Sequence, residues 1–523
     1  MHRLCRCALV ALVAASIPFA VAERKKPPVP RPASTVSAET RAAKAFEDAR
    51  KQGPLTLRAF LYRMPKGADL HSHLSGAIYA ETWIRDAGED GLCVDPKTLS
   101  FNPPEKGKHE CGEGQVPAAT APQNQHLYDA LIDAFSMRTF VPRTADSGHD
   151  HFFDTFDNFH GTSKSHAGEW LDEVASRAAA QDEQYLELMD TPDFKEAAAL
   201  AVKIDPQTDF VKFRQQLLDA GIRNSIAAIR ANLDTAEANR RQLEHCGQAD
   251  AAPACAVKVR YLYQVLRGMA PEVVFAQVVL GFETAAVDPR FVGLNFVQPE
   301  DGYISMRDYR LQMQMIDAIR GFYPGVHISL HAGELAPGMV PPEGLSFHIR
   351  LAVEQGEAER IGHGVDVMYE DRPYELLKEM AAKHVMVEVN LTSNDVILNI
   401  KGKDHPFEIY REYGVPVALS TDDEGVSRID LTHEYVRAAV TYPLDYRDFK
   451  KMVRTSIEHS FLPGASLWQQ SIPETLDKPV EACAGQLGEE NPSGPCAELV
   501  SQSEKAQQQW ELEHRFHTFE ASF

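Results

Sequence analysis

The chain has 523 residues, 44% hydrophobic and 24% charged, which is enough apolar material for one large globular domain or two ordinary ones. A formal net charge of −22 excludes a general nucleic-acid-binding surface, which needs clustered Lys and Arg; the short run Arg24-Lys25-Lys26 opposes this from a tail. The acidity itself reads as solubility.

The first residues read as a processed segment. Arg3 and Arg6 precede an apolar stretch from Ala8 to Phe19, and Ala20-Val21-Ala22 has the A-x-A form of a cleavage site. Residues 1–22 are expected to be a signal peptide, with Glu23 opening the mature chain. The apolar stretch is too short for a stable bilayer anchor, so no stable membrane insertion is expected after processing. The expected location is periplasmic or secreted. Residues 23–37 are basic and Pro-rich, as in an extended linker.

Cys5 and Cys7 fall inside the signal, and the other six cysteines form three local couples: Cys93 with Cys111, Cys246 with Cys255 and Cys483 with Cys496. An even number in an exported chain favours disulfides. Zinc ligation by these cysteines is the alternative, but the mature chain has no C-x-x-C pair. Residues 38–523 are expected to form a single domain, with insertions near 88–148, 246–255 and 473–496 where Gly, Pro and polar residues accumulate.

From Glu39 to Arg63 the apolar spacing is helical, broken at Gly53-Pro54. Apolar strand candidates then alternate with helical stretches: Ala68–Leu74, Gln184–Met189, Val259–Val265, Val292–Val297, Val326–His331, Arg360–Val365, Val385–Leu391 and Val415–Thr421. The fourth to eighth are clearer than the third. Eight such units predict an α/β fold of the (β/α)8 TIM-barrel type, with an N-terminal helical extension. In that fold reactive groups gather at the C-terminal ends of the strands.

Four polar clusters fall at those ends. In Leu70-His71-Ser72-His73-Leu74, strand alternation points both imidazoles to one face, which suits a divalent metal. Ser329-Leu330-His331-Ala332-Gly333-Glu334 ends a strand in His and presents a Glu on a small-residue turn. Arg360-Ile361-Gly362-His363-Gly364 places a His between glycines that permit close approach. Leu419-Ser420-Thr421-Asp422-Asp423 ends an apolar strand in two acids. Singly, each reads as a cap or loop polar group; together they point to metal chemistry. One Zn2+ ion held by His71, His73, His331 and Asp422, with water as a fifth ligand, would activate that water for attack on an electron-poor purine carbon. Glu334 suits the general acid, His363 the group that holds or deprotonates the water, and Asp423 a hydrogen bond to the ring or help in orienting the nucleophile.

At this point the chain resembles the adenosine/adenine deaminase family. Met64-Pro65-Lys66-Gly67-Ala68-Asp69-Leu70-His71-Ser72-His73-Leu74-Ser75-Gly76 is similar to its opening signature. His331-Ala332-Gly333-Glu334, Gly362-His363-Gly364, Ser420-Thr421-Asp422-Asp423 and, less closely, Ser460-Phe461-Leu462-Pro463 are similar to later segments in the same order. The signal segment, helical extension and Met-Pro-Lys-Gly start resemble the secreted, growth-factor-related branch. The resemblance implies the barrel, one zinc and hydrolytic deamination, with the roles given above. Two positions depart from the usual pattern. Ser75 stands where an acid often meets the ribose, and Gln298 replaces a glycine near the purine ring.

The expected reaction is deamination of adenosine or 2′-deoxyadenosine, with looser demands at the sugar 5′ position because Ser75 is a weaker partner than a carboxylate. The alternatives are a deaminase of adenine or a modified adenosine, and a non-catalytic nucleoside-binding signalling protein. Retention of Glu334 and His363 argues against the last. A cytidine-type zinc site is a poor fit, because its P-C-x-x-C element is absent.

Overall fold

Eight short apolar strands pair in chain order, every neighbour parallel, in a computed structural model that describes residues 36–105, 110–143, 147–204, 208–470, 472 and 476–523. The expected signal segment, 1–22, and nearly all of the linker, 23–37, lie outside the described residues. The strands are β1 (Gly67–His73), β2 (Glu183–Asp190), β3 (Lys258–Leu266), β4 (Phe291–Val297), β5 (His327–Ala332), β6 (Arg360–His363), β7 (Met386–Val389) and β8 (Val417–Leu419). Helices intervene between successive strands, the arrangement of a (β/α)8 barrel, and most strand residues are buried.

The seam between the last strand and the first is narrow. Ser72 bridges Asp422 in parallel register; the Asp422 amide donates to the His71 carbonyl at 2.8 Å, and the His73 amide donates to the Asp422 carbonyl at 3.1 Å. The buried Asp69 carboxylate adds a strap: it accepts from the Thr421 amide at 3.1 Å and the Thr421 hydroxyl at 2.6 Å.

β3 is less clear in sequence than the five strands that follow it, yet it is the longest of the eight in the structure, with 9 residues. Its polar positions have partners: Arg260 pairs with Glu504 at 2.6 Å, and Gln264 reaches His73 at 2.6 Å. β6 and β8 end earlier than the apolar pattern suggests. The backbone turns left-handed at His363 (φ 71°), the last residue of β6, and at Asp422 (φ 62°), just past the end of β8.

The helical extension is two helices, α1 (Ala38–Gln52) and α2 (Pro54–Arg63), separated by Gly53 at φ 110°; Pro54 opens the second, where its missing N–H costs nothing. Within the stretch 88–148, strands Cys93–Asp95, Ser100–Asn102 and Val116–Pro117 form a small antiparallel sheet, followed by the helix Gln125–Ala134. Next comes α3 (Gly148–Asn158), and the helix after β7 is α4 (Leu391–Leu398). Gly148 packs so closely on the Val396 carbonyl of α4 that an added Cβ would lie 2.0 Å from it. The chain ends in α5 (Glu504–Ala521). No described helix is long and apolar enough to cross a membrane.

All three cysteine couples are disulfides: Cys93–Cys111, Cys246–Cys255 and Cys483–Cys496. The last lies in a small separate core with Leu467, Trp468, Leu476 and Trp510. Replacing Cys483 and Cys496 by Ser should lower stability by about 2–4 kcal/mol in chemical denaturation, because the cross-link restricts the unfolded chain. Thiol titration of the denatured, unreduced chain from residue 23 onward should find no reactive cysteine.

Candidate active site

The four clusters converge at the C-terminal mouth of the barrel. His71, His331, His363 and Asp422 each bring one ligand atom within 4.8 Å of the others. His73 joins them: its Nε2 lies 3.1 Å from Asp422 Oδ1 and 3.2 Å from His331 Nε2, while His71 Nε2 lies 3.5 Å from Asp422 Oδ1. All five residues are buried. His71 and His73 share a face because they are two apart on β1, and His331 and Asp422 come from the ends of β5 and β8.

Partners behind the rings decide which nitrogen faces inward. His71 Nδ1 donates to Glu388 Oε2 at 2.6 Å, His73 Nδ1 to Gln264 Oε1 at 2.6 Å, and His331 Nδ1 to Asn295 Oδ1 at 2.6 Å. With the proton on Nδ1, each ring presents an Nε2 lone pair to one point. Two lone pairs 3.2 Å apart repel unless a cation shares them, and His71 Nε2 is buried without a hydrogen-bond partner among the described residues. Three imidazole nitrogens and a carboxylate oxygen, each oriented from behind, fit a divalent metal of the zinc class.

The electrostatics agree. Burial opposes charge on Asp422, but the imidazoles of His71 and His73 that face it outweigh this and hold the carboxyl well below the usual carboxylate range. Burial likewise opposes charge on His71, yet Asp422 and Glu388 push its pKa up to about 10. The field that favours a proton there favours any cation. Burial, then the neighbouring Asp422 charge, raises Glu334 well above its ordinary value. Burial raises Asp423 to about 8. Asp423 is therefore largely protonated at neutral pH and can donate, and Glu334 is shifted in the same direction, toward its protonated form.

Small residues make room for these groups. A Cβ on Gly362 would lie 2.5 Å from His71 Cε1, and one on Gly76 would overlap the Asp423 carboxylate. The cleft above the cluster measures about 550 Å³. Phe152, Phe153 and Phe156 of α3 form an apolar wall; Glu334, Asp423, Ser75, Gln298, Asp157 and His160 supply polar groups. Among the described residues no Lys or Arg lines it. Gln298 has φ 92°, a conformation that favours glycine, and its Oε1 accepts from the Gly268 amide at 2.8 Å. His363 Nδ1 lies 3.7 Å from Glu334 Oε1, and its Nε2 lies 3.8 Å from Asp422 Oδ2.

The structure thus brings together every residue singled out from sequence and adds an outer layer that sequence reasoning missed. Glu300 accepts from the Gly333 amide at 3.0 Å and the Glu334 amide at 2.8 Å, fixing the turn that carries Glu334. Glu388 accepts from Ser329 at 3.0 Å and pairs with Arg360 at 2.6 Å; Arg360 continues to Glu187 at 2.6 Å. A signal existed: Glu388 is a lone charge in the apolar run of β7, and such a residue must have a partner.

The adenosine deaminase family model matches residues 171–477 of this chain. The chain belongs to the adenosine deaminase family. Adenosine deaminases from Clostridium perfringens (strain 13 / Type A) and Escherichia coli O7:K1 are 36% and 35% identical to it, over 141 and 139 residues respectively. Each alignment covers 26% of this chain, and the chain spans 38% of the length of those curated relatives. Two solved structures share the fold. An Arabidopsis N6-mAMP deaminase has TM-score 0.50 and 21% identity, over 77% of this chain and 95% of that one. An amidohydrolase with bound Zn from Burkholderia ambifaria has TM-score 0.50 and 17% identity, over 78% and 88%. Among the site residues of this adenosine deaminase family member, His71, His73 and Ser75 precede the matched span, and the barrel seam carries them to it.

Glu388→Gln should weaken divalent-metal affinity by about 10–100-fold in chelator competition with zinc as the probe, because Gln can no longer hold His71 Nδ1–H with a charge. Circular dichroism should remain that of the parent.

Proposed function

We propose that this protein is a zinc-dependent hydrolase that converts adenosine or 2′-deoxyadenosine to the inosine product and ammonia. The observation that carries the reading is a buried Glu334, which burial and the Asp422 charge shift toward its protonated form, beside a cluster of imidazoles and a carboxylate at the floor of the cleft. When bound, zinc would supply a water acidic enough to act as nucleophile at neutral pH. The chain's own groups supply the rest. Glu334 donates its proton to the ring nitrogen beside C6, which makes that carbon electrophilic. Asp423, also protonated, donates to the ring and fixes its orientation in the cleft. The phenylalanines of α3 face the purine and exclude bulk water.

Ser75, Asp157 and His160 are the polar groups offered to the sugar. Acidic lining without a described Lys or Arg favours an uncharged nucleoside over a 5′-monophosphate. Export to an oxidising compartment is proposed alongside; three disulfides and the signal-like start support it.

Ammonia release from a panel of adenosine, 2′-deoxyadenosine, adenine and adenosine 5′-monophosphate tests the substrate class. Adenosine should exceed the monophosphate in kcat/KM by at least about 100-fold, or roughly 2.7 kcal/mol. A preference for the monophosphate or the free base would reject the nucleoside assignment. Glu334→Gln should keep its zinc by elemental analysis while kcat falls about 10²–10⁴-fold. Near-parental turnover in that metal-replete variant would remove Glu334 from the acid role.

A further inference from the structure

His363 differs from the other three histidines in what stands behind it. Each of those meets an acceptor at Nδ1. His363 Nδ1 instead faces two side-chain amide nitrogens, Asn394 Nδ2 at 2.9 Å and Asn390 Nδ2 at 3.4 Å. The direction of the Asn394 amide is set further back. His405 Nε2 lies 3.0 Å from Asn394 Oδ1, and His405 Nδ1 receives the Phe407 backbone N–H at 3.1 Å.

A backbone N–H can only donate, so His405 Nδ1 must be the acceptor. Burial lowers the pKa of His405 to about 3, so the ring is neutral and its single proton is on Nε2. That proton goes to Asn394 Oδ1. The Asn394 NH2 is thereby turned toward His363, whose Nδ1 must accept. The remaining proton of a neutral His363 is then on Nε2, the buried atom that faces Asp422 and has no hydrogen-bond partner among the described residues. Asn394, His405 and His363 are all buried, so water does not compete for these bonds.

We propose that Asn394 and His405 are positioning residues that lock His363 in the Nε2–H tautomer, making it a hydrogen-bond donor to the attacking oxygen at rest rather than a base. This reading deepens the proposed hydrolase and rests on it for its kinetic consequence, but the tautomer itself does not depend on the substrate. One mouth therefore holds two kinds of imidazole: three that offer a lone pair and one that offers a proton. What stands behind each ring sorts them: Glu388, Gln264 and Asn295 accept, whereas Asn394 and Asn390 donate.

The test is long-range 15N–1H NMR of the full chain with 15N-labelled histidine, with and without zinc, which reports the protonated nitrogen of each ring. His363 should show pyridine-type Nδ1 and pyrrole-type Nε2. Asn394→Asp is nearly isosteric and replaces the donor with an acceptor, so the His363 proton should move to Nδ1. In the deaminase assay kcat should fall about 10²-fold or more with KM within about 3-fold. His405→Gln can still accept from Phe407 and donate to Asn394, and should keep both the tautomer and most of kcat, whereas His405→Leu should lose both. A parental His363 protonated at Nδ1 overturns the proposal even if Asn394→Asp does not fold. An unchanged tautomer in a folded Asn394→Asp overturns it as well. If no purine is turned over, the proposed function fails and the NMR measurement still decides the tautomer.

Discussion

A parallel sheet of eight strands leaves two raw edges, and this chain joins them through the backbone of the residues that carry its chemistry. The Asp422 amide bonds the His71 carbonyl, and the His73 amide bonds the Asp422 carbonyl. A side chain that must meet others within a few tenths of an ångström is best mounted on the hydrogen bonds that close the barrel, because those bonds cannot relax independently of the fold. Asp422 takes a left-handed φ of 62° to satisfy both demands. Strain of this kind persists where the surroundings over-determine the position, and the Asp69 strap on Thr421 is part of that surrounding.

Around that seam, buried charge is arranged as a chain. His71 leans on Glu388, Glu388 on Arg360, and Arg360 on Glu187, which also accepts from the Phe461 amide at 2.7 Å and from the Tyr185 hydroxyl at 2.8 Å. Arg360 lies over the Phe461 ring at 3.8 Å. Every member is buried, so removing one leaves its neighbour uncompensated, at a cost of about 3–5 kcal/mol. The network ties the orientation of one imidazole to the segment Ser460-Phe461-Leu462-Pro463 after the last barrel strand.

The inner layer of the site was legible because few residue types do this chemistry and all of them end strands. His71, His73, His331, Glu334, His363, Asp422 and Asp423 each stand out against an apolar run. The barrel was legible for the same reason, through the apolar runs themselves. What lies behind the inner layer was not legible. His71 and Glu388 are 317 residues apart, His73 and Gln264 are 191, and no local pattern encodes either pair. The polar character of Gln264 and Arg260 also blurred β3, since residues selected for a distant partner break the apolar rhythm of their own strand. Strand ends were overrun past His363 to Val365 and past Leu419 to Thr421, because an apolar pattern carries no trace of the left-handed turns at His363 and Asp422.

The aromatic side chains of the helical extension have a consequence in time. Phe60 of α2 packs on Phe46 at 5.7 Å, on Phe519 at 5.3 Å and on Phe523 at 5.3 Å, so the first helices are covered by the last. α5 is made after all eight barrel strands, so this part of the patch stays uncovered until the barrel segments have been synthesised. Contacts between α2 and α5 also close a long loop, which costs more chain entropy than a local pairing does. α5 therefore acts as a late latch: α1 and α2 complete their packing once it arrives, and without it Phe60 would lose its Phe519 partner and expose aromatic surface.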